Sequence, residues 1–138
     1  MANEALVQRV KGIVAHVKSN DWDGLYAGYQ ALFADPEFST YPPADQRTAL
    51  KLMVLQKGAP QIPTPAMKEA HRAALPALTE LVSNLGDPAD HELLGVCHVV
   101  LGNEESASAI FKAGLAIERE RNPASDLCGA LMRRVASI

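Results

Sequence analysis

The sequence predicts an all-α fold, and three observations support this prediction. The 138 residues include 22 Ala and 16 Leu against three Phe, three Tyr and one Trp, so strong helix formers outnumber residues that favour strands. Apolar residues recur at intervals of three and four along most of the chain. Gly, Pro and Asn residues then divide the chain into about seven segments of helical length.

The composition is that of one globular domain covering residues 1–138. The chain is 48% hydrophobic and 21% charged, which is too apolar for a disordered tail. A length of 138 residues also fits a single hydrophobic core.

The first two predicted helices form an antiparallel hairpin over about residues 4–36. The first helix covers about residues 4–18, with Asn3 as a possible cap and an apolar stripe at helical spacing. The second covers residues 22–34 and stops at Asp35-Pro36, because proline disfavours a helical residue before it.

The next two helices form a second hairpin over about residues 43–83. A loop is expected at residues 37–43, followed by a helix over residues 44–57 that ends at Gly58. Thr64 and Pro65 then supply a cap and a first-turn proline for a helix that reaches about residue 83. Pro76 lies inside this helix and removes one of its backbone hydrogen bonds.

The last three helices form a third hairpin over residues 88–121 and a C-terminal capping helix over about residues 125–137. Asp87-Pro88 is a capping start signal for a helix over residues 88–101. Gly102-Asn103 gives the turn before a helix over residues 104–121, and Asn122-Pro123 closes that helix.

Segment 88–123 resembles a tetratricopeptide repeat. Its spacing is His91-x2-Leu94-Gly95-x2-His98, followed by Ala107-x3-Phe111 and a closing Pro123. It departs from the family pattern by having His at both aromatic positions, Gly114 in place of the usual Ala, and a proline a few residues late. The other two hairpins resemble the family more weakly, and the second is degenerate.

This resemblance implies an α-solenoid of about three stacked hairpins that ends in the capping helix. About three repeats are the usual minimum for a stable stack, and atypical end segments act as caps. A four-helix-bundle-like arrangement is the alternative, because alternating amphipathic helices also suit that packing.

The resemblance also implies a binding surface, because the first helix of each tetratricopeptide hairpin lines the concave face of the array. The predicted partner-binding residues on that face are Val7, Val10, Val14, Val17, Leu52, Leu55, Glu92, Val96, Val99 and Val100. Such an apolar groove suits a helix or peptide of a partner protein. The chain is therefore expected to be a non-enzymatic adaptor or a small chaperone.

Two other interpretations remain open. In the first, the protein is a structural homo-oligomer such as a homodimer, with the groove filled by its own terminal helix or by a second copy. In the second, the protein binds a small ligand or acts as an enzyme through a pocket among helices, with His71, His91 or His98 as the titratable group.

Several other classes are disfavoured by charge and motif content. A net charge of -3 argues against a nucleic-acid partner, and no apolar run approaches the ~20 residues of a membrane-spanning helix. With no evident secretory signal, we expect a cytoplasmic protein in which Cys97 and Cys128 are reduced core thiols.

No cofactor, metal site or catalytic residue is predicted. His91 and His98 stand two helical turns apart, about 10 Å along the axis, which is too far to share one ion. The run from His91 to Gly95 starts like a zinc-protease helix but lacks its second His, and no phosphate loop or nucleophile elbow is present.

Overall fold

Seven α-helices and two short 3-10 helices build residues 3–138, the part of the chain that the computed structural model describes. The α-helices are α1 (Glu4–Val14), α2 (Trp22–Ala34), α3 (Pro43–Val54), α4 (Pro65–Leu85), α5 (Pro88–Val100), α6 (Glu104–Arg121) and α7 (Asp126–Ala136). The 3-10 helices are Ala15–Ser19 and Pro36–Thr40, and no β-strand occurs in this part of the chain. The predicted all-α class with about seven helices is confirmed.

The chain divides into two compact units, with the boundary between Ala77 and Leu78 inside α4. In the N-terminal unit, α1 packs on α2, where a side chain at Gly28 would press against Ile13. The core of this unit is rich in aromatic rings, with Tyr29 stacked on Phe33 at 5.7 Å between ring centroids. Both rings come from α2, which therefore carries much of this core.

A 3-10 helix at Pro36–Thr40 replaces part of the loop that the sequence predicts over residues 37–43. The Asp35 carboxylate accepts a hydrogen bond from the backbone N–H of Glu37 at 2.9 Å, and proline suits the first turn of such a segment. The turn buries Phe38 edge-on against Phe33, with 5.1 Å between the centroids. The expectation of a loop was wrong here because the residues that stop α2 also start this segment.

Helix α3 ends at Val54, three residues before the predicted end at Lys57. Leu55 takes φ -102 and ψ 26, so the chain has left the helical region there, although Leu55 and Gln56 continue the helical pattern. Helix α4 begins as predicted, with Thr64 accepting a hydrogen bond from the Met67 N–H at 3.2 Å. It continues through Pro76 to Leu85.

The C-terminal unit, Leu78–Ile138, is organised around the α5–α6 hairpin. A side chain at Gly95 would overlap the Phe111 ring, and a Cβ at Gly114 would lie 2.6 Å from the Cβ of His91. The two helices therefore approach closely because each contributes a glycine where the other contributes a large side chain. A buried cluster then joins α6 to α7, comprising Ala107, Phe111, Leu115, Cys128 and Leu131.

Helix α7 is attached to both helices of that hairpin. Ser125 accepts a hydrogen bond from the Cys128 N–H and donates one of 2.7 Å to the buried carboxylate of Glu118 in α6. Arg134 in α7 donates to the Glu92 carboxylate in α5 at 3.1 Å. The capping helix thus packs as the end of this unit, while the stacking of three hairpins remains a prediction.

Candidate functional site

The first wall of the candidate site is the side of α1 that the core leaves uncovered. Asn3 caps α1 by accepting a hydrogen bond from the Leu6 N–H at 3.0 Å. Leu6 and Ile13, seven residues apart, are buried and fix the orientation of the helix. Their neighbours Val7 and Val10 are half-buried, and Val14 is 36% exposed, so an apolar stripe remains accessible beside the packed face.

The second wall is contributed by α3. Ala49, Leu50 and Met53 of this helix are buried. Leu52 of the same helix lies outside this buried face and is 45% exposed. Leu55, directly after the helix, is half-buried. An accessible leucine beside fully buried neighbours leaves apolar surface unpaired within this unit.

These two walls enclose an apolar depression that we call the α1–α3 trough. It is lined by Val7, Val10, Val14, Ala49, Leu52 and Leu55. Its best-defined part has a volume of about 250 Å³ between the first turns of α1 and the middle of α3. Two further depressions extend it toward the ends of both helices, and Leu52 lines all three, so the surface is continuous.

The edge of the trough is basic. The four lysines that line it are Lys11, Lys18, Lys51 and Lys57. All four are exposed, and none forms a salt bridge with residues 3–138. Asp45 is the single carboxylate that lines the described depressions of this unit, and it lies beside Leu6 and Val7.

Five of the ten predicted partner-binding residues line this trough, namely Val7, Val10, Val14, Leu52 and Leu55. Val17 lies in the 3-10 helix after α1 and is half-buried without lining the trough. These five come from the first helix of each of the first two predicted hairpins, and each lies one to three residues along the chain from a buried core position.

The four predicted residues on α5 have different surroundings within the C-terminal unit. Glu92 is buried and bound to Arg134, and Val96 packs against the α6–α7 cluster. Val99 is 43% exposed, and Val100 is half-buried. Helix α7 therefore covers the face of α5 that carries Glu92 and Val96.

The three histidines considered for a catalytic or ligand site each have a local partner. His71 is buried, its Nδ1 lies 2.7 Å from the carbonyl of Met67, and burial lowers its pKa although that hydrogen bond opposes the shift. His91 Nδ1 lies 2.9 Å from the carbonyl of Asp87. His98 lies 3.2 Å from the Asn103 amide, and partial burial lowers its pKa.

The other ionisable side chains that could form a site, namely metal-ligand types, His16 and the two cysteines, likewise form no larger cluster in the part of the chain that the structure describes. Within residues 3–138 no group of three or more His, Cys, Asp or Glu side chains is arranged to hold a metal ion. His16 pairs with Asp21 at 3.0 Å on the surface, next to the turn between α1 and α2. Cys97 and Cys128 are free and buried as predicted, and burial raises the pKa of Cys97 to about 12.

The predicted partner-binding residues include part of the apolar wall but none of the lysines at its edge. A usable signal was present on α1, because Lys11 follows the half-buried Val7 by four residues and so shares its face of the helix. Lys18 lies in the 3-10 helix that follows. Lys51 directly precedes Leu52 on α3, and Lys57 follows Leu55 in the segment after the helix.

Comparison with known proteins yields no relative for this chain. No protein-family profile matches it, and no curated protein and no solved structure is significantly similar to it. No helix in the described part of the chain is long and apolar enough to cross a membrane.

Proposed function

We propose that this protein is a binding module, an adaptor or small chaperone, whose α1–α3 trough receives the apolar side chains of a helix or peptide from a partner protein. The observation that carries the proposal is the continuous accessible surface around Leu52 and Val14 in a unit whose other leucine and isoleucine residues on α1–α3 are buried. Covering apolar surface contributes roughly 25 cal/mol per Å², so a partner would gain affinity there. Helical partners commonly bind such grooves.

The α5–α6 hairpin supports the tetratricopeptide-like interpretation of the fold. Gly95 and Ala107 occupy the small-residue positions of the repeat, and both are buried. Phe111, at the large position, contacts Gly95. Gly114, which departs from the family's alanine, faces His91, which departs from its aromatic, so the two departures occur at one contact.

The alternative of a groove filled by the terminal helix is less favoured. Cys128 and Leu131 of α7 are buried within the C-terminal unit, and Arg134 is bound to Glu92. The apolar face of α7 is therefore already packed within its own unit and is not available to fill the trough.

A cytoplasmic location belongs to the same proposal. Free buried cysteines such as Cys97 and Cys128 are typical of proteins from reducing compartments, where disulfides are rare.

The first test measures binding of a neutral amphipathic peptide with a leucine stripe and Gln on both sides of it. Leu52→Asp should abolish binding by the intact chain, because it places a charge at the centre of the trough. Ile62→Asp is the matched control, since Ile62 is 84% exposed and does not line the trough. Fluorescence anisotropy gives the affinity, and circular dichroism checks that both variants keep their helix content.

Two results would contradict the proposal. Equal binding by the wild type and Leu52→Asp would place the peptide elsewhere. A wild type that binds no peptide and sediments as a dimer, while Leu52→Asp sediments as a monomer, would assign the trough to a second copy instead.

A further inference from the structure

The lysines of this chain are concentrated at one place. The sequence contains six lysines, and four of them border the α1–α3 trough; the other two are Lys68 and Lys112. The chain as a whole carries a net charge of -3. A local excess of positive charge on an acidic protein points to a partner of opposite charge at that surface.

The charge is also distributed unevenly along the trough. Asp45 lines the depression next to Leu6 and Val7, at the beginnings of α1 and α3. Lys18 and Lys57 follow the ends of these helices. The depression beside Leu6 therefore contains a carboxylate, whereas the other two depressions, which we call the basic end, are lined by Lys11, Lys18, Lys51 and Lys57 and by no carboxylate of the described residues.

We infer that the occupant is an acidic amphipathic helix of another protein, with an apolar stripe bordered by Glu or Asp side chains. This inference rests on the proposed function and specifies its partner. The apolar stripe covers Val10, Val14 and Leu52, and the carboxylates face the four lysines. The acidic end of the segment lies at Lys18 and Lys57.

A helix of about 12 residues fits this surface. The stretch from Leu6 to Lys18 advances roughly 20 Å, at 1.5 Å per residue in α1 and about 2.0 Å per residue in the 3-10 helix, which matches between three and four turns of an α-helix. Three turns place apolar residues at positions i, i+3, i+4 and i+7 on one side and leave room for acids on both edges.

The same charges disfavour a second copy as the occupant. Among the described residues each trough is lined by four lysines and one carboxylate, so two identical troughs placed face to face would carry an excess of like charge whichever way they run. Like charges across an interface suppress such pairing, whereas a segment bordered by carboxylates meets no such repulsion.

The experiment compares three peptides that share one leucine stripe and an amidated C-terminus and differ only in the residues at its edges, which are Glu, Gln or Lys. We expect the Glu peptide to bind about tenfold more tightly than the Gln peptide at low salt, and the Lys peptide to bind most weakly. The preference should shrink as salt screens the charges. Binding is measured by anisotropy with the full-length protein.

Charge reversal tests whether the lysines at the basic end produce the preference. The double variant Lys18→Glu with Lys57→Glu should lose the preference for the Glu peptide and bind the Lys peptide more tightly than the wild type does. The matched control, Lys68→Glu with Lys112→Glu, changes the net charge equally at lysines outside the trough and should keep the wild-type order. Thermal melting checks that both double variants fold.

The outcomes separate this inference from the proposed function. Equal binding of all three peptides would overturn the acidic partner and leave the apolar trough intact. Failure of all three to bind would overturn the trough itself. Binding to vesicles of anionic lipid, with no discrimination among the peptides, would assign the lysines to a membrane surface and also overturn the inference.

Discussion

The absence of a Cβ atom at two glycines allows α5 and α6 to approach closely. The Phe111 ring occupies the place where a Cβ at Gly95 would lie, and the Cβ of His91 lies against Gly114 in a similar way. In the N-terminal unit, Gly12 is different, because a Cβ there would meet nothing within 4 Å. Gly95 is therefore required by packing, whereas Gly12 is free to change.

This difference predicts opposite effects of one substitution. Gly95→Ala should lower the free energy of unfolding by about 1–3 kcal/mol, since its methyl group overpacks the contact with Phe111. Gly12→Ala should raise it by about 0.5–1 kcal/mol through helix propensity. Urea denaturation followed by circular dichroism measures both. An equal effect at the two positions would show that Phe111 moves aside at no cost.

His71 predicts a pH dependence of stability. Burial lowers its pKa below the ordinary 6.5, and it packs near Tyr26 with 6.1 Å between ring centroids. The folded state therefore favours the neutral ring, and the unfolded chain takes up a proton more readily. Stability from this group is present above pH 6.5 and is lost as the pH falls through 6.5 toward the lowered value.

Denaturation curves between pH 7.5 and 5.5 test this dependence. The wild type should lose stability toward the acidic end, and His71→Gln should show a smaller loss over the same range. His98, whose pKa is also lowered, contributes in the same direction and should retain its share in that variant. A pH slope unchanged by His71→Gln would rule out this assignment.

At the scale of helices, the caps determine where elements begin. Asp87 accepts a hydrogen bond from the Ala89 N–H at 2.9 Å and starts α5, and Ser125 does the same for α7 through the Cys128 N–H. Ser125 has a second role, because its hydroxyl also donates a hydrogen bond to the buried Glu118 carboxylate. One side chain thus both starts α7 and connects it to α6.

Ser125→Ala should therefore cost more than the loss of an ordinary cap. Removing the cap costs about 1 kcal/mol, and a buried carboxylate that loses its donor adds about another 1 kcal/mol. Ser125→Asp should not rescue the loss, since it restores the cap acceptor but places a second carboxylate beside Glu118. Asp87→Ala, which removes only a cap, is the comparison. Equal losses measured by urea denaturation for both alanine variants would contradict the double role.

Much of the element order followed from start and stop signals along the chain. The predicted spans of the second and sixth helices, 22–34 and 104–121, coincide with α2 and α6 because Asp35-Pro36 and Gly102-Asn103 are unambiguous breakers. The 3-10 helix at Pro36–Thr40 was missed because Asp35-Pro36 indicated only the end of α2, whereas the same residues also start the segment that buries Phe38.

At the scale of the whole molecule, contacts between helices decide how much of the candidate site was predictable. On α1 only one side is buried, so the face that the resemblance assigned to the groove, with Val7, Val10 and Val14, remains accessible. On α5 nearly every residue from 90 to 95 is buried, so periodicity could not show that α7 covers Glu92 and Val96. Which surface stays open depends on neighbours that are distant in sequence.

The contact between Gly95 and Phe111 also constrains how this protein can diverge. Because the ring occupies the volume that a methyl group at residue 95 would need, neither position can drift alone without penalty. Descendants of this chain that acquire alanine at 95 should carry a smaller side chain at 111. In an alignment of such sequences, positions 95 and 111 would then covary although they lie sixteen positions apart.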